Sequence, residues 1–232
     1  MISISKPLRA SLAITLAAAV VVAAFFASPL VHLPKGSFFP SSFVTHSVFL
    51  VLSLALMTLF SRGKLAEYGF TFGSFRLSWD YFAWVVPVLL LGLMEAAGNR
   101  SGKSANMLGM TNLQVVVFVW FYASICEEVL TRGLLQTLLE RSARVENTLR
   151  RWLNLPVVVS GLFFGAMHLI LLRSMGAQAL LVVAFATYVG LVAAHYRQKT
   201  GSLAPPILLH MLFNIAGSLP LWIVLWLRKV PG

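Results

Sequence analysis

Two adjacent carboxylates, Glu127 and Glu128, lie inside an apolar segment that runs from Leu113 to Leu139. Arg132 follows Glu128 by four residues, so a helix would place these two side chains on one face. A charged side chain at the centre of a bilayer costs roughly 2.5–3.5 kcal/mol, and such residues usually face a protein-lined cavity and serve a function. A cation that pairs with only one of two neighbouring carboxylates would hold the two acids in different protonation states. The pattern indicates either an acid–base site or a structural ion pair between packed helices.

Two later apolar segments add imidazole and amide groups. His168 follows Phe164 by four residues on the first segment, and Asn214 follows His210 by four residues on the second. Each pair therefore shares one face of its helix. Taken alone, each of these residues is typical of a hydrogen bond between buried helices. Their occurrence beside an acidic pair favours a common site.

A glycine pattern accompanies the first of these histidines. Gly161 and Gly165 form G-x-x-x-G, and they share a helical face with His168. Small residues at this spacing predict that a second helix packs closely, with His168 pointing into the contact. His46 and His195 have no partner at helical spacing, and we interpret them as structural or interfacial residues.

The combined set of residues could hydrolyse a peptide bond. A carboxylate or an imidazole takes the proton from a water molecule, and neutral donors stabilise the oxyanion that forms. Glu127, His168 and His210 could alternatively hold a catalytic zinc ion with an open position, although H-E-x-x-H is absent. A transporter that relays protons through Glu127 and Glu128 is a further alternative. It would carry inverted repeats, whereas the intramembrane polar residues all lie in the second half of this chain.

The composition places these residues in a membrane protein. The 232-residue chain is 59% hydrophobic and only 11% charged, and its mean hydropathy is +0.85. These values exclude an ordinary soluble domain. The net charge of +11 would favour nucleic-acid binding in a soluble chain, but here the basic residues flank apolar segments, so we predict no nucleic-acid partner. The single cysteine, Cys126, excludes an internal disulfide, and we interpret it as a small buried hydrophobe.

Apolar stretches of about 20 residues predict an all-α, polytopic membrane bundle of seven or eight transmembrane helices. The predicted spans are 10–30, 43–60, 81–97, 113–139, 153–172, 177–196 and 203–227. We interpret the first as a retained span, because its apolar run is longer than that of a signal peptide and no A-x-A site follows. The last contains Gly217 and Pro220, and is either one kinked helix or a span followed by a short returning helix.

We divide the chain into two parts of a single membrane domain. Residues 1–112 would hold the first three spans and an interfacial connector at 61–78, and residues 113–232 would form the catalytic core. Basic residues predict a cytoplasmic N-terminus, because they concentrate in the segments that this orientation places inside. Those segments hold Lys6, Arg9, Arg62, Lys64, Arg76, Arg141, Arg144, Arg150, Arg151, Arg197, Lys199, Arg228 and Lys229. The outer segments hold Lys35, Arg100, Lys103 and Arg173.

Three motifs in this order resemble the CPBP (Abi) family, which contains the type II CAAX prenyl endopeptidases and their bacteriocin-processing and immunity relatives. The family pattern is E-E-x-x-x-R, F-x-x-x-H and H-x-x-x-[ND] on successive helices. In this chain the pattern is met by Glu127-Glu128 with Arg132, Phe164 with His168, and His210 with Asn214. The segment from Tyr188-Val189-Gly190-Leu191 to Thr200-Gly201-Ser202-Leu203-Ala204-Pro205-Pro206 is also similar. The resemblance covers about residues 113–217.

The resemblance implies an all-helical intramembrane endopeptidase. It assigns water activation to Glu127 and His168, oxyanion stabilisation to His210 and Asn214, and orientation of the site to Glu128, Arg132 and Phe164. A metal-dependent version, with zinc on Glu127, His168 and His210, and a non-catalytic immunity or scaffold protein are the alternatives. We favour a glutamate-activated water that requires no cofactor, because asparagine is an unusual zinc ligand but a good oxyanion donor.

The expected partners are the lipid bilayer and a peptide or protein substrate that reaches the site from the membrane. Nothing in the chain indicates recognition of a prenyl group, so a prenylated substrate and an unmodified one are both open. We expect a multi-pass protein of a prokaryotic inner (plasma) membrane.

Overall fold

The computed structural model of the chain describes residues 5–34, 36–73, 79–98, 110–142 and 154–227. Within these ranges every regular element is helical. The long helices are α1 (Lys6–Ala27), α2 (Ser42–Ser61), α3 (Asp80–Gly98), α4 (Asn112–Ser142), α5 (Leu155–Met167), α6 (Ala179–Thr200) and α7 (Ala204–Leu227). The short helical turns are Ser28–Leu30, Leu65–Tyr68, His168–Leu171, Leu172–Met175 and Gly176–Gln178.

Four stretches of the described residues are long and apolar enough to cross a membrane, so the predicted number of seven or eight is not confirmed. They are Pro7–Leu30, Ser42–Ser61, Asn112–Ser142 and Leu155–Thr200. A shorter apolar helix covers Asp80–Met94. The 46 residues of Leu155–Thr200 contain both α5 and α6, which the sequence predicted as separate spans. These two helices pack against each other, so the chain reverses direction through the short turns between them, where Gly176 has a φ of +56°.

The contact between α5 and α6 requires glycine. A Cβ atom at Gly161 would lie 2.7 Å from a methyl carbon of Leu191, and one at Gly165 would meet the side chain of Thr187. A Cβ atom at Gly190 would lie 2.8 Å from the carbonyl oxygen of Gly161. The two backbones therefore approach too closely for any side chain, as the G-x-x-x-G pattern predicted.

The first two helices cover one side of α4. The residues Ala13, Ala17, Val20 and Ala24 are buried, and their spacing of three or four places them on one face of α1. Small side chains on this face let α1 pack against α2 and against α4. The N-terminal part of the chain is thereby attached to the helix that carries the acidic pair.

Helix α4 runs through the interior of the protein. Its segment Ser124–Glu128 is α-helical, and it is flanked by the π-helical stretches Val115–Ala123 and Val129–Gln136. Every residue of Val129–Gln136 is buried. A helix that is buried on all sides must be apolar on all sides, or else pair its polar groups within the protein. π-Helical turns are frequent at functional sites.

The last apolar stretch forms one continuous helix, α7, which contains Pro220. Of the two arrangements predicted for this stretch, the structure shows a single helix as far as Leu227. Helix α7 packs against α3, α4 and α6. This position brings the face of His210 and Asn214 toward the acidic pair.

The predicted interfacial connector is described as far as residue 73. It docks on the turn between α6 and α7, where the Leu203 amide donates to the Gly69 carbonyl oxygen at 2.9 Å and the Ser202 hydroxyl donates to the Thr71 carbonyl oxygen. Of the basic residues used to predict orientation, nine lie outside the described ranges: Lys35, Arg76, Arg100, Lys103, Arg144, Arg150, Arg151, Arg228 and Lys229. The cytoplasmic N-terminus stays a prediction.

Candidate active site

Side chains of all three motifs meet around the ring of Phe164, which is buried on α5. The ring centroid of His168 lies 5.0 Å from that of Phe164, and the centroid of His210 lies 5.2 Å away. Both histidines approach edge to face. The guanidinium carbon of Arg132 lies 4.7 Å from the same centroid, over the ring. Phe164 therefore fixes groups from α4, α5 and α7 through ring and cation–π contacts.

Glu128 is held by the permanent charge of Arg132 and by contacts in the protein interior. Its Oε1 accepts a hydrogen bond from Arg132 Nη1 at 3.1 Å, and both side chains are 0% exposed. Arg132 Nη2 also donates to the Gly190 carbonyl oxygen at 2.7 Å, and His210 Nδ1 lies 3.0 Å from Glu128 Oε1. A buried charge is tolerated when it is paired and hydrogen-bonded. This arrangement suits the predicted orienting role of Glu128 and Arg132.

Glu127 faces imidazoles instead. Its Oε1 lies 3.0 Å from His46 Nε2, its Oε2 lies 3.8 Å from His210 Nε2, and its side chain is 12% exposed. His46 belongs to α2 and was missed in the sequence, where it was interpreted as structural or interfacial. Its partner lies 81 residues away. The one available signal was a titratable side chain inside a predicted span.

The hydrogen bonds around Glu127 define where protons lie. His46 Nδ1 lies 2.7 Å from the Ser42 carbonyl oxygen, so this nitrogen must carry a hydrogen. His46 Nε2 then needs a proton shared with Glu127 Oε1, because a bare nitrogen and a carboxylate oxygen are both acceptors. The contact with His46 therefore holds one proton between the imidazole and the Glu127 carboxyl group.

His168 follows the last residue of α5 and begins the turn His168–Leu171. Its Nδ1 donates to the Phe164 carbonyl oxygen at 2.8 Å, which leaves Nε2 as its available nitrogen. The side chain lines a cavity and interacts electrostatically with Glu127. The expectation that His168 points into the glycine contact is corrected here, because the residue lies where α5 ends and faces open space instead.

The amide group of Asn214 bonds within the protein. Its Nδ2 donates to the Val119 carbonyl oxygen and to Ser124 Oγ, at 3.0 Å in each case. The Ser124 hydroxyl itself donates to the Trp120 carbonyl oxygen at 2.8 Å. Both amide hydrogens are therefore used by α4. The predicted oxyanion role of Asn214 requires one of these bonds to open during the reaction, and that role stays a prediction.

A cavity of about 700 Å³ lies between α3, α5, α6 and α7. Its polar groups include His168, His210 and Asn214, and most of its remaining wall is apolar. Met94 and Leu181 line it as well, and they are 70% and 60% exposed. Glu127 does not line the cavity, but His210, which does, lies next to it. The cavity thus joins an apolar space at the protein surface to the residues beside the acidic pair.

The zinc alternative on Glu127, His168 and His210 stays a prediction. The described residues hold no group of three His, Cys, Asp or Glu side chains that could hold a metal ion. His168 Nδ1 and His210 Nδ1 are both bonded to oxygen atoms of the protein, at Phe164 and Glu128, so Nε2 is the available nitrogen of each ring.

Comparison with known proteins identifies the second half of the chain. Residues 109–216 match the family described as type II CAAX prenyl endopeptidase Rce1-like. No curated protein and no solved structure matches the chain. All the predicted motif residues, from Glu127 to Asn214, lie within the matched range. This match confirms the resemblance drawn from the three motifs: residues 109–216 form a domain of the Rce1-like type II CAAX prenyl endopeptidase family, within an integral membrane protein.

Proposed function

We propose that the chain is an intramembrane endopeptidase that hydrolyses peptide bonds of a membrane-associated or lipidated protein or peptide. One observation carries this proposal: residues of all three motifs meet at Phe164 beside a cavity whose remaining wall is mostly apolar. The family match over residues 109–216 supports the same reaction class. A structural ion pair alone would not need a cavity next to its histidines.

Glu127 is the better candidate for the general base of the two acids. It is 12% exposed and faces histidines, whereas Glu128 is 0% exposed and bonded to Arg132. A general base must accept a proton from water in the reacting complex, so it needs an oxygen that is not committed to a fixed cation. Glu127 Oε2, which lies 3.8 Å from His210 Nε2, meets this condition.

The reaction consumes one water molecule. Its oxygen forms a bond to the carbonyl carbon of the substrate while Glu127 takes its proton, with His168 Nε2 orienting the water. The negative charge on the carbonyl oxygen is stabilised by Asn214, after release of one amide bond, and by His210 when Nε2 carries a proton. The C–N bond then breaks, and the proton on Glu127 passes to the departing amine. Glu128, Arg132 and Phe164 hold these groups in place, and no cofactor is used.

The cavity wall favours a substrate with an apolar part. Val88, Leu91, Phe185 and Phe213 line it, and apolar pockets of several hundred Å³ bury most of the surface of a ligand. A lipid chain or an apolar side chain next to the scissile bond would fill this space. The exposed apolar residues at its edge suit a substrate that arrives from the membrane.

The test is cleavage mapping with the purified full-length chain in nanodiscs. The probes are a farnesylated peptide ending in a CAAX sequence and the same peptide without the lipid, with products identified by mass spectrometry. We expect cleavage by the wild type, none by Glu127→Gln, and full activity in EDTA. Cleavage of only the farnesylated peptide would identify a lipidated substrate.

Two outcomes contradict the proposed mechanism. Loss of activity in EDTA with recovery on added zinc would contradict a metal-free reaction. Cleavage by Glu127→Gln at the wild-type rate would contradict the assigned base. The matched control is Glu140→Gln, which also removes a carboxylate from α4 but leaves the histidines untouched.

A further inference from the structure

We infer that His46 is a positioning residue that holds the carboxylate of Glu127 in the orientation needed for catalysis. This inference rests on the proposed function. His46 lies on α2, outside the three motifs and outside the matched residues 109–216. The active site would then depend on a helix of the N-terminal part, although the sequence predicted the catalytic core to lie within residues 113–232.

The ring of His46 is fixed on two sides. Its Nδ1 is bonded to the carbonyl oxygen of Ser42, four residues earlier in the first turn of α2. The ring of Phe49 packs edge to face against it, with centroids 5.9 Å apart. Only Nε2 remains for a further bond, and it lies 3.0 Å from Glu127 Oε1. The imidazole is therefore oriented before it meets the carboxylate.

This bond distinguishes the two oxygens of Glu127. Oε1 is engaged with His46, while Oε2 is left toward His210 and the polar end of the cavity. A carboxylate held through one oxygen cannot rotate freely, so the other oxygen keeps its direction. Misplacing a reacting group by about 1 Å can cost about 100-fold in rate. Among the described residues, the side chain of Glu127 forms no other hydrogen bond.

A second contact between the same two helices provides a matched control. The Ser47 hydroxyl donates its hydrogen to the Phe43 carbonyl oxygen at 2.8 Å. Because that hydrogen is used, the Tyr122 hydroxyl is the donor in its bond to Ser47 Oγ, also at 2.8 Å. This bond also joins α2 to α4, next to His46 in sequence, but it does not touch Glu127. A purely structural role of His46 would therefore be shared by Ser47.

The experiment compares His46→Ala, His46→Leu, His46→Gln and Ser47→Ala in the full-length chain, using kcat, KM and the thermal midpoint. We expect kcat of His46→Ala and His46→Leu to fall about 10- to 100-fold, with KM within about twofold. The amide nitrogen of glutamine can replace Nε2, so His46→Gln should recover most of kcat. Ser47→Ala should keep kcat even where its midpoint falls as far as that of His46→Ala. If His46→Ala does not fold, His46→Leu replaces it in the comparison, because leucine is closer in size to histidine.

Three results would overturn the inference. In the first, His46→Ala or His46→Leu is folded and cleaves at the wild-type kcat while Glu127→Gln is inactive; the proposed function then survives and the inference alone fails. In the second, Ser47→Ala lowers kcat as much as His46→Ala, which leaves only a structural role. In the third, the wild type shows no cleavage that depends on Glu127, and the proposed function fails together with the inference.

Discussion

The surroundings of the two adjacent glutamates differ, although both belong to the same turn of α4. Glu128 is fully buried and paired with the permanently charged Arg132, whereas Glu127 is 12% exposed and faces His46 and His210. Neighbouring residues of a helix point about 100° apart, so Glu128 meets Arg132 and His210 of α7 while Glu127 meets His46 of α2. The two glutamates are therefore adjacent in sequence but lie in different environments.

The difference indicates a division of roles. A guanidinium stays charged at all physiological pH values, so Arg132 gives the buried Glu128 a permanent ion-pair partner. Glu127 has no permanent cation bonded to it, so its Oε2 is free to take the proton of water. We interpret Glu128 as the acid that builds the site and Glu127 as the acid that reacts. Variants of the two acids and their partners should therefore separate folding from catalysis.

The largest expected effect is on folding, at Arg132. Arg132→Met leaves the buried carboxylate of Glu128 without its cation, which should cost about 3–5 kcal/mol of unfolding free energy. We expect little folded protein by size-exclusion chromatography and a strongly lowered thermal midpoint. The double variant Glu128→Gln/Arg132→Met removes both charges and should recover much of the loss. A wild-type midpoint for the single variant would contradict the structural role.

The next effect is on catalysis, at Glu127. Glu127→Gln should lower kcat about 10²- to 10⁴-fold, because the general base is removed. Its thermal midpoint should fall much less than that of Arg132→Met, since no permanent charge is left unpaired. Parallel measurements of cleavage and melting check both statements. Equal loss of folding in the two variants would remove the distinction between the acids.

A smaller effect is expected where α6 supports Arg132. A Cβ atom at Gly190 would lie 2.8 Å from the Gly161 carbonyl oxygen and 3.2 Å from Arg132 Nη2, so Gly190→Ala should push α6 outward and destabilise by about 1–3 kcal/mol. Gly133→Ala is the control, because its Cβ would have its nearest neighbour, the sulfur of Met57, at 3.4 Å. Thermal unfolding should separate the two variants. Equal midpoints would mean that this packing does not limit stability.

The smallest effect is expected at Cys126, which precedes the acidic pair. The thiol is buried and forms no disulfide, and we expect it to act as an apolar side chain. Cys126→Ala should keep kcat within about twofold, and thiol-alkylating reagents should not inhibit the folded protein. A variant that folds but loses activity would show that the thiol takes part in the reaction.

Contacts that follow from a helical spacing of four residues were predictable from the sequence. The pairing of Glu128 with Arg132 follows from a spacing of four residues, and the close approach at Gly161 and Gly165 follows from their lack of side chains. The apolar runs likewise placed the long helices to within a few residues. The number of membrane spans is not confirmed, because only four stretches of the described residues are long and apolar enough to cross a membrane, and one of them contains both α5 and α6.

Contacts between helices were not predictable in the same way. His46 meets Glu127 across 81 residues, and Arg132 bonds the Gly190 carbonyl oxygen across 58 residues. Neither contact follows from a spacing rule, because the packing of α2 and α6 against α4 decides which side chains meet. The same packing directs the amide of Asn214 to α4 and leaves His168 on the cavity wall.

The sequence by itself determined a helical membrane protein, its acidic pair and the residues of three motifs, because hydropathy and helical periodicity are local properties of the chain. Only the tertiary structure decided which groups from other helices meet each acid: His46 of α2 bonds Glu127, and His210 of α7 bonds Glu128. The physical reason is that burial and charge pairing depend on the neighbours that a helix acquires when it packs, and those neighbours come from distant parts of the chain.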